Sequence, residues 1–427
     1  MRPSILTASA LTALAAAALA PAPAPAATVS PTRVRAPQLA VNADGATVVA
    51  WERLTKRAIA IEARAGDAPL ELGHARRLSA DGHQPQVAIG SEGTKAVIWF
   101  EEGARGMRTV RVAVARPGHN FGKGQIVDRR RANMAVVGVA VQPTGRVVAI
   151  WRRSSARLGV ALARRNHAFG RPRDFAAIGQ PAAGTIPVDP RDGSVIVAYG
   201  TPPSSSPPVN QQAAVRTLTL SSGSFSAPAL VSLGPGSNGF SEAYPAMASG
   251  PAGVAVAYTL VGDPYALNLV RRDGDGSWAA PERIGLANYG EDVFPVGLQA
   301  TLPADGSAVA AWSIDDQGSG AGSAIGSQTV ASIAAPSSAF GPFGALTPAG
   351  ARFGRPAVAS AGNEAFVASA QPHGPVLLAT RSAGAAAFAA PVALSAGGDG
   401  DVLLAAAGAH VVAAYQRGDR LQVEIVR

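Results

Sequence analysis

The sequence contains no cysteine. That excludes disulfides, thiol nucleophiles, cysteine-ligated metal and lipid attachment through a cysteine. Aromatic residues make up 5% of the chain, charged residues 15%, and only three of the basic residues are lysine. Apolar residues spaced for a helix face are nearly missing beyond the N-terminus, while 48 glycines and 33 prolines punctuate the chain. This argues against a helical protein and for short strands separated by turns. There is no Gly-x-Ser-x-Gly elbow for serine hydrolase chemistry, and the six histidines are scattered without metal-ligand spacing. The sequence therefore implies neither a metal nor a cofactor.

What is present first is an address. Arg2 precedes an apolar, Ala-rich run from Ile5 to Ala20, and Ala24-Pro25-Ala26 has the small-x-small form that a signal peptidase accepts. The run is short and weakly apolar for a membrane span. The reading is a secretory signal over residues 1–26 and a mature secreted domain over 27–427, with no later span. A 427-residue chain can build its core without disulfides.

The rest of the chain repeats one unit: a short apolar run, a turn, a second and more continuous apolar run, then an aromatic anchor. Eight copies align, beginning near Pro37, Pro85, Val137, Ile186, Pro245, Pro295, Pro356 and Val402. The anchors are Trp51, Trp99, Trp151, Tyr199, Tyr258, Trp312 and Tyr415, and the seventh copy has Ser369 instead. Asp44-Gly45, Asp192-Gly193 and Asp305-Gly306 mark hairpin turns, and the Val/Ala-rich second run reads as a strand buried on both faces. Two further strand-like segments lie between copies. The last of them is expected to open on an aromatic and a proline, as in Phe225, Trp278 and Phe388.

Strands A to D in each period of roughly 50 residues are the arithmetic of a β-propeller. The fold predicted is all-β: a single propeller, with eight four-stranded blades ahead of seven blades or an open solenoid. The last copy stops after strand C, at Arg420–Arg427, and the segment from Ala27 reads as a lone strand D that closes the ring.

On these motifs the chain resembles secreted bacterial β-propeller repeat proteins over residues 28–427, with a more distant likeness to WD40-like and sialidase-like propellers. No anchor Trp is followed by Asp, as WD40 blades require, and the double Gly of kelch blades is missing. Asp273–Trp278 looks like a degenerate sialidase-type Asp-box and reads as a tight turn. The resemblance implies that D-to-A and B-to-C connections share the rim where propellers usually meet ligands. It specifies a fold and leaves the activity open.

Charge is uneven. Residues 28–173 hold 25 Lys and Arg against 10 Asp and Glu, and residues 174–427 hold 11 against 18. A basic and an acidic side follow, which an arginine-rich solvated surface would also give and which suits an anionic polysaccharide, a cell-wall polymer or a secreted protein, with nucleic acid the less expected. Two clusters map to the ligand-facing rim. The basic one is Arg129, Arg130 and Arg131 before the third copy, with Arg152, Arg153 and Arg157 after its anchor. The planar guanidinium suits carboxylate, sulfate or phosphate, although a solvated loop would look the same in sequence. The acidic, aromatic one is Glu242, Tyr244, Tyr289, Glu291, Asp292, Asp315 and Asp316, the residue types of a sugar-binding or glycosidase site. Acidic loops are common, and none of these has a partner readable from spacing.

The sequence alone favours a secreted, non-enzymatic binding module that engages a polymer or protein through rim loops. The alternatives are a propeller-type glycoside hydrolase or polysaccharide lyase, and a structural scaffold for another secreted protein.

Overall fold

The computed structural model describes residues 26–30, 33–56, 58–154, 157–176, 186–200, 212–232, 243–260, 265–287, 293–316, 326–349, 353–398 and 401–427. They form eight antiparallel sheets, each strand bonded to the next in sequence within its sheet except at the ring's closure. Among the described residues the only helical element is a 3-10 turn at Ala104–Gly106. No described helix is long and apolar enough to cross a membrane.

The first blade comprises Val34–Val41, Thr47–Leu54, Ile59–Gly66 and Arg76–Ser79. The second comprises His83–Ile89, Lys95–Glu102, Met107–Ala115 and Gln125–Arg131. The third comprises Ala135–Val141, Val147–Ser154, Arg157–Ala163 and Arg173–Ala176. Blades five to seven repeat the plan, with innermost strands Ala243–Gly250, Val293–Thr301 and Ala357–Ala361. The fourth has three regular strands, and a single bridge from Val188 to Val195 stands at its innermost position. Pro187 and Pro190 flank Val188, and proline has no N–H to donate to a ladder.

The eighth blade carries the closure. Its strands run Val402–Ala407, His410–Arg417, Arg420–Ile425 and then Ala27–Ser30 from the other end of the chain. Ala27 pairs with Val423, Thr28 with Gln422 and Ser30 with Leu421. Val29 is 1% exposed within an apolar cluster shared by the eighth and first blades.

The core is divided into eight clusters, and each lies between two consecutive blades. Every aromatic anchor reaches back toward the preceding blade: Trp151 packs with Ile98 and Val110, and Trp312 with Ala248 and Leu267. A hairpin cannot hide such a side chain by itself, so burial of the anchors and closure of the ring are one event. In the seventh blade Ser369 donates to Thr329 Oγ1 of the sixth at 2.8 Å, a hydrogen bond where the other blades pack a ring.

Two sequence expectations shift in detail. The outer strands begin after the aromatic and proline, at Ala229, Glu282 and Val392. Proline cannot donate, so pairing starts beyond it. The aromatics instead cap the clusters between blades, as Phe225, Trp278 and Phe388 do from the C-to-D turns. Arg129–Arg131, expected in a loop, complete the outer strand of the second blade. Met107, Arg108 and Thr109 offer it a continuous paired edge.

Candidate functional site

The D-to-A and B-to-C connections share one rim, and the second and third blades bring the basic cluster there. Val127 and Asp128 of the outer strand are buried, whereas Arg129, Arg130 and Arg131 are exposed. Arg152 is half-buried near the end of the third blade's second strand, and Arg157 is exposed at the start of its third. Arg129, Arg131 and Arg152 form no ion pair with a described residue. Successive side chains of a strand alternate, so Arg129 and Arg131 share one face of this outer strand and Arg130, bonded to Asp128, takes the other.

Arg153 has a different role. It is buried, donates from Nε to Asp128 at 2.7 Å, pairs with Asp174, and lies 5.5 Å over the Trp151 ring. Two carboxylates and an aromatic face consume it, so it holds the second and third blades together and offers no free charge at the surface. Asp128 is the hub. It also accepts from Trp151 Nε1 at 2.9 Å and from Arg130 Nε at 3.2 Å. Burial works against its ionised form, but hydrogen bonds from Arg153 and Trp151 and the charges of Arg153 and Arg130 outweigh it. The carboxyl lies below the usual carboxylate range.

A second hub sits at the preceding junction, between the first and second blades. Glu101 accepts from Ser79 Oγ at 2.7 Å, Arg111 Nε at 2.6 Å and Trp99 Nε1 at 3.3 Å. Sequence reasoning missed both carboxylates, although a charged residue two places after an anchor Trp (Arg53, Glu101, Arg153) was visible. Beside them Arg108 stacks over Phe100 at 4.9 Å and donates to Glu102 at 2.7 Å, while the His83 ring stacks on Phe100 at 5.2 Å.

Of the acidic, aromatic cluster, Glu242, Tyr289, Glu291 and Asp292 lie outside the described residues. The backbone places Tyr244 on the innermost strand of the fifth blade, paired with Thr259. Asp315 and Asp316 end the second strand of the sixth, opposite Phe294 and Val293. All three positions fall at the same rim of adjacent blades.

Around the axis the innermost strands enclose a cavity of about 460 Å³. Its lining is mostly apolar, with Leu39, Ile89, Val141, Met247 and Leu404 among it, and Gln299 is one of its few polar side chains. Innermost strands carry register shifts near this rim, between Arg35 and Gln38, His83 and Gln86, and Val296 and Gln299. Ala36 and Gln84 take positive φ of 43° and 51° there. Such bulges re-aim side chains and recur beside binding sites.

No protein-family model and no curated protein sequence matches this chain. Solved structures do, among them polysaccharide lyases and a sialidase. A polysaccharide lyase superposes with a TM-score of 0.52 at 11% identity, covering 93% of this chain and 90% of that one. An ulvan lyase of a new polysaccharide lyase family covers 93% and 95% at 12% identity and a TM-score of 0.49. A mutant sialidase from Streptococcus pneumoniae covers 80% and 65% at 10% identity and a TM-score of 0.41. At such identity the shared property is the fold, and no residue role carries over.

Proposed function

We propose that this protein is a secreted, polysaccharide-active propeller. It holds an acidic polysaccharide across the rim of the second and third blades and cleaves it as a lyase or glycoside hydrolase. The observation that carries the reading is the pair Arg129 and Arg131, exposed on one face of the second blade's outer strand, whose charge no described residue pairs. A guanidinium binds carboxylate or sulfate bidentately, and repeated charges along a polymer would meet repeated donors along the strand. The likeness to a polysaccharide lyase over 93% of the chain supports the enzymatic reading over the non-enzymatic platform that the sequence alone favours. Chemistry would belong to the acidic and aromatic positions of the fifth and sixth blades. Hydrolysis with two carboxylates needs them about 5–10 Å apart. Elimination needs a base at the sugar carbon next to the carboxylate and a cation to hold the charge that develops.

Incubation with a panel of polyuronates and sulfated polysaccharides tests this. The readouts are retention at low salt, new reducing ends, and the absorbance of an unsaturated uronate. Unsaturated product identifies a lyase, and reducing ends without unsaturation identify a hydrolase. Retention without product would keep the binding half and remove the catalytic half. No retention at low ionic strength would overturn the reading.

A further inference from the structure

On the opposite rim the third and fourth blades enclose a cleft of about 560 Å³ that the function above does not use. Arg146 enters it from the A-to-B turn of the third blade. Arg164, Arg165 and His167 enter from that blade's C-to-D turn, and Ser221 and Ser222 from the facing turn of the fourth. No Asp or Glu lines it.

The cleft is rigidly framed. Arg146 crosses the gap between blades and donates to Leu220 O at 3.0 Å and Ser222 O at 2.7 Å. Arg173 donates to Gly223 O at 3.0 Å in the same turn. Two guanidiniums are therefore fixed by backbone carbonyls, which leave their positive charge unneutralised. A Cβ on Gly145 would come within 3.0 Å of Arg165 Cγ and Cδ, so the Arg165 stem rests on the turn. Arg164 and Arg165 are exposed and form no ion pair with a described residue.

The sequence shows why no counter-ion is at hand. Between Asp128 and Asp174 the chain has eleven arginines and no acidic residue. Asp174, the next acid, is engaged by Arg153 and Arg157. Burial, with the charge of Arg164 adding to it, holds the Arg146 guanidinium below its ordinary value. Like charges gathered without a carboxylate disfavour the empty state, and an anion entering the cleft relieves that repulsion.

We propose that this cleft binds a sulfate group of a sulfated polysaccharide, as a second attachment point remote from Arg129 and Arg131. Guanidiniums from two turns of one blade and the Ser221 hydroxyl of the next approach from different sides, the Ser222 hydroxyl being spent on Ser224 O. Such an arrangement fits a tetrahedral oxyanion better than a planar carboxylate. The choice of polymer rests on the acidic-polysaccharide reading above, while the anion site stands on its own geometry. A chain gripped at both rims gains avidity without any new contact at the site of cleavage.

Calorimetric titration with inorganic sulfate, and retention on immobilised sulfated and chemically desulfated forms of one polyuronate, test the proposal. The comparison is between wild type, Arg164→Ser/Arg165→Ser and Arg129→Ser/Arg131→Ser. Thermal melting checks that each variant folds. The cleft variant is expected to lose inorganic sulfate binding, and to bind the sulfated polymer about tenfold more weakly with a shallower salt dependence. Its binding of the desulfated form should match wild type. Wild-type behaviour of this variant on sulfated polymer, or an equal loss on both forms, would overturn the proposal. Binding of inorganic sulfate lost in the cleft variant, with no polysaccharide retained by wild type, would uphold the anion site and defeat the polysaccharide reading.

Discussion

Asp128, on the outer strand of the second blade, accepts the indole N–H of Trp151 in the third at 2.9 Å. The same carboxylate oxygen takes Arg153 Nε at 2.7 Å. One acid thus fixes both the aromatic anchor of a blade and the buried cation beside it, and does so across the gap between blades.

Asp128→Asn is expected to lower stability by about 3–5 kcal/mol, because Arg153 stays buried with one carboxylate fewer. Urea denaturation of the variant measures it. An apolar replacement of both residues, Asp128→Leu with Arg153→Met, should recover only part of the loss, because Trp151 Nε1 is then left without its acceptor. If the single variant is as stable as wild type, the pair does not hold the blades.

Two glycines in one turn behave differently. A Cβ on Gly124 would lie 2.3 Å from Trp99 Cη2, whereas one on Gly122 meets nothing within 4 Å. Gly124→Ala is therefore expected to cost about 1–3 kcal/mol through displacement of the buried indole. Gly122→Ala should melt within a degree or two of wild type. Equal melting temperatures for the two variants would contradict the packing described.

The seam is open to a direct test. Val29→Asp puts a carboxylate into the cluster joining the eighth and first blades, and is expected to cost about 3 kcal/mol or more. Protein recovered from the culture medium should begin at Ala27, which is also the first residue of the closing strand. An N-terminus beyond Ser30 on a folded, secreted protein would show that the ring does not need the strand.

Stability should change with pH through two kinds of carboxyl that act with opposite sign. The carboxyls of Asp128, Asp189, Asp192 and Asp305 all lie below their ordinary value in the fold. In each, burial opposes ionisation but charged and hydrogen-bonding partners outweigh it. The stability they contribute is present above the unfolded carboxylate value and is lost as pH falls through the folded one. Glu424 is the reverse. Burial raises its carboxyl, with a partly compensating hydrogen bond from Tyr415, whose own phenol is pushed up to about 12 by burial and by Glu424. A raised group binds its proton more tightly when folded, so its contribution is present at low pH and is lost as pH rises through the folded value. Glu424→Gln should flatten that part of the pH–stability curve and leave the acid limb unchanged. An unaltered slope between the ordinary carboxylate range and the raised Glu424 value would remove Glu424 as its cause.

On the outer strand of the second blade, Arg129→Ser/Arg131→Ser should weaken retention of acidic polysaccharide by about tenfold or more and leave melting unchanged. The residues are exposed, and a hydrogen bond to a charged group contributes about 1.5–3 kcal/mol. Affinity chromatography across a salt gradient reads the change. Unaltered retention would exclude this face of the rim.

The architecture was legible because it is written in period and chemistry. The spacing of Trp51, Trp99 and Trp151, the Gly45 and Gly193 turns, and the Val/Ala-rich second strands are local signals that survive in one dimension. The loose Ala27 segment and the missing strand after Arg420–Ile425 foretold the closure by strand count. The site was less legible. Arg153 and Arg129 look alike in sequence, yet one is 6% exposed and the other faces solvent. Burial of a charge depends on which carboxylate the neighbouring blade supplies. Asp128 is 25 residues from Arg153, and no local pattern connects them.

The sequence by itself determined that the chain folds as a ring of β-hairpins, because each repeat carries an apolar surface too large to hide alone. Only the tertiary structure decided which charges remain free. Electrostatic pairing acts through space between residues far apart in the chain. It therefore took the assembled blades to consume Arg153, to expose Arg129 to Arg131, and to gather Arg146, Arg164 and Arg165 around a cleft without a carboxylate.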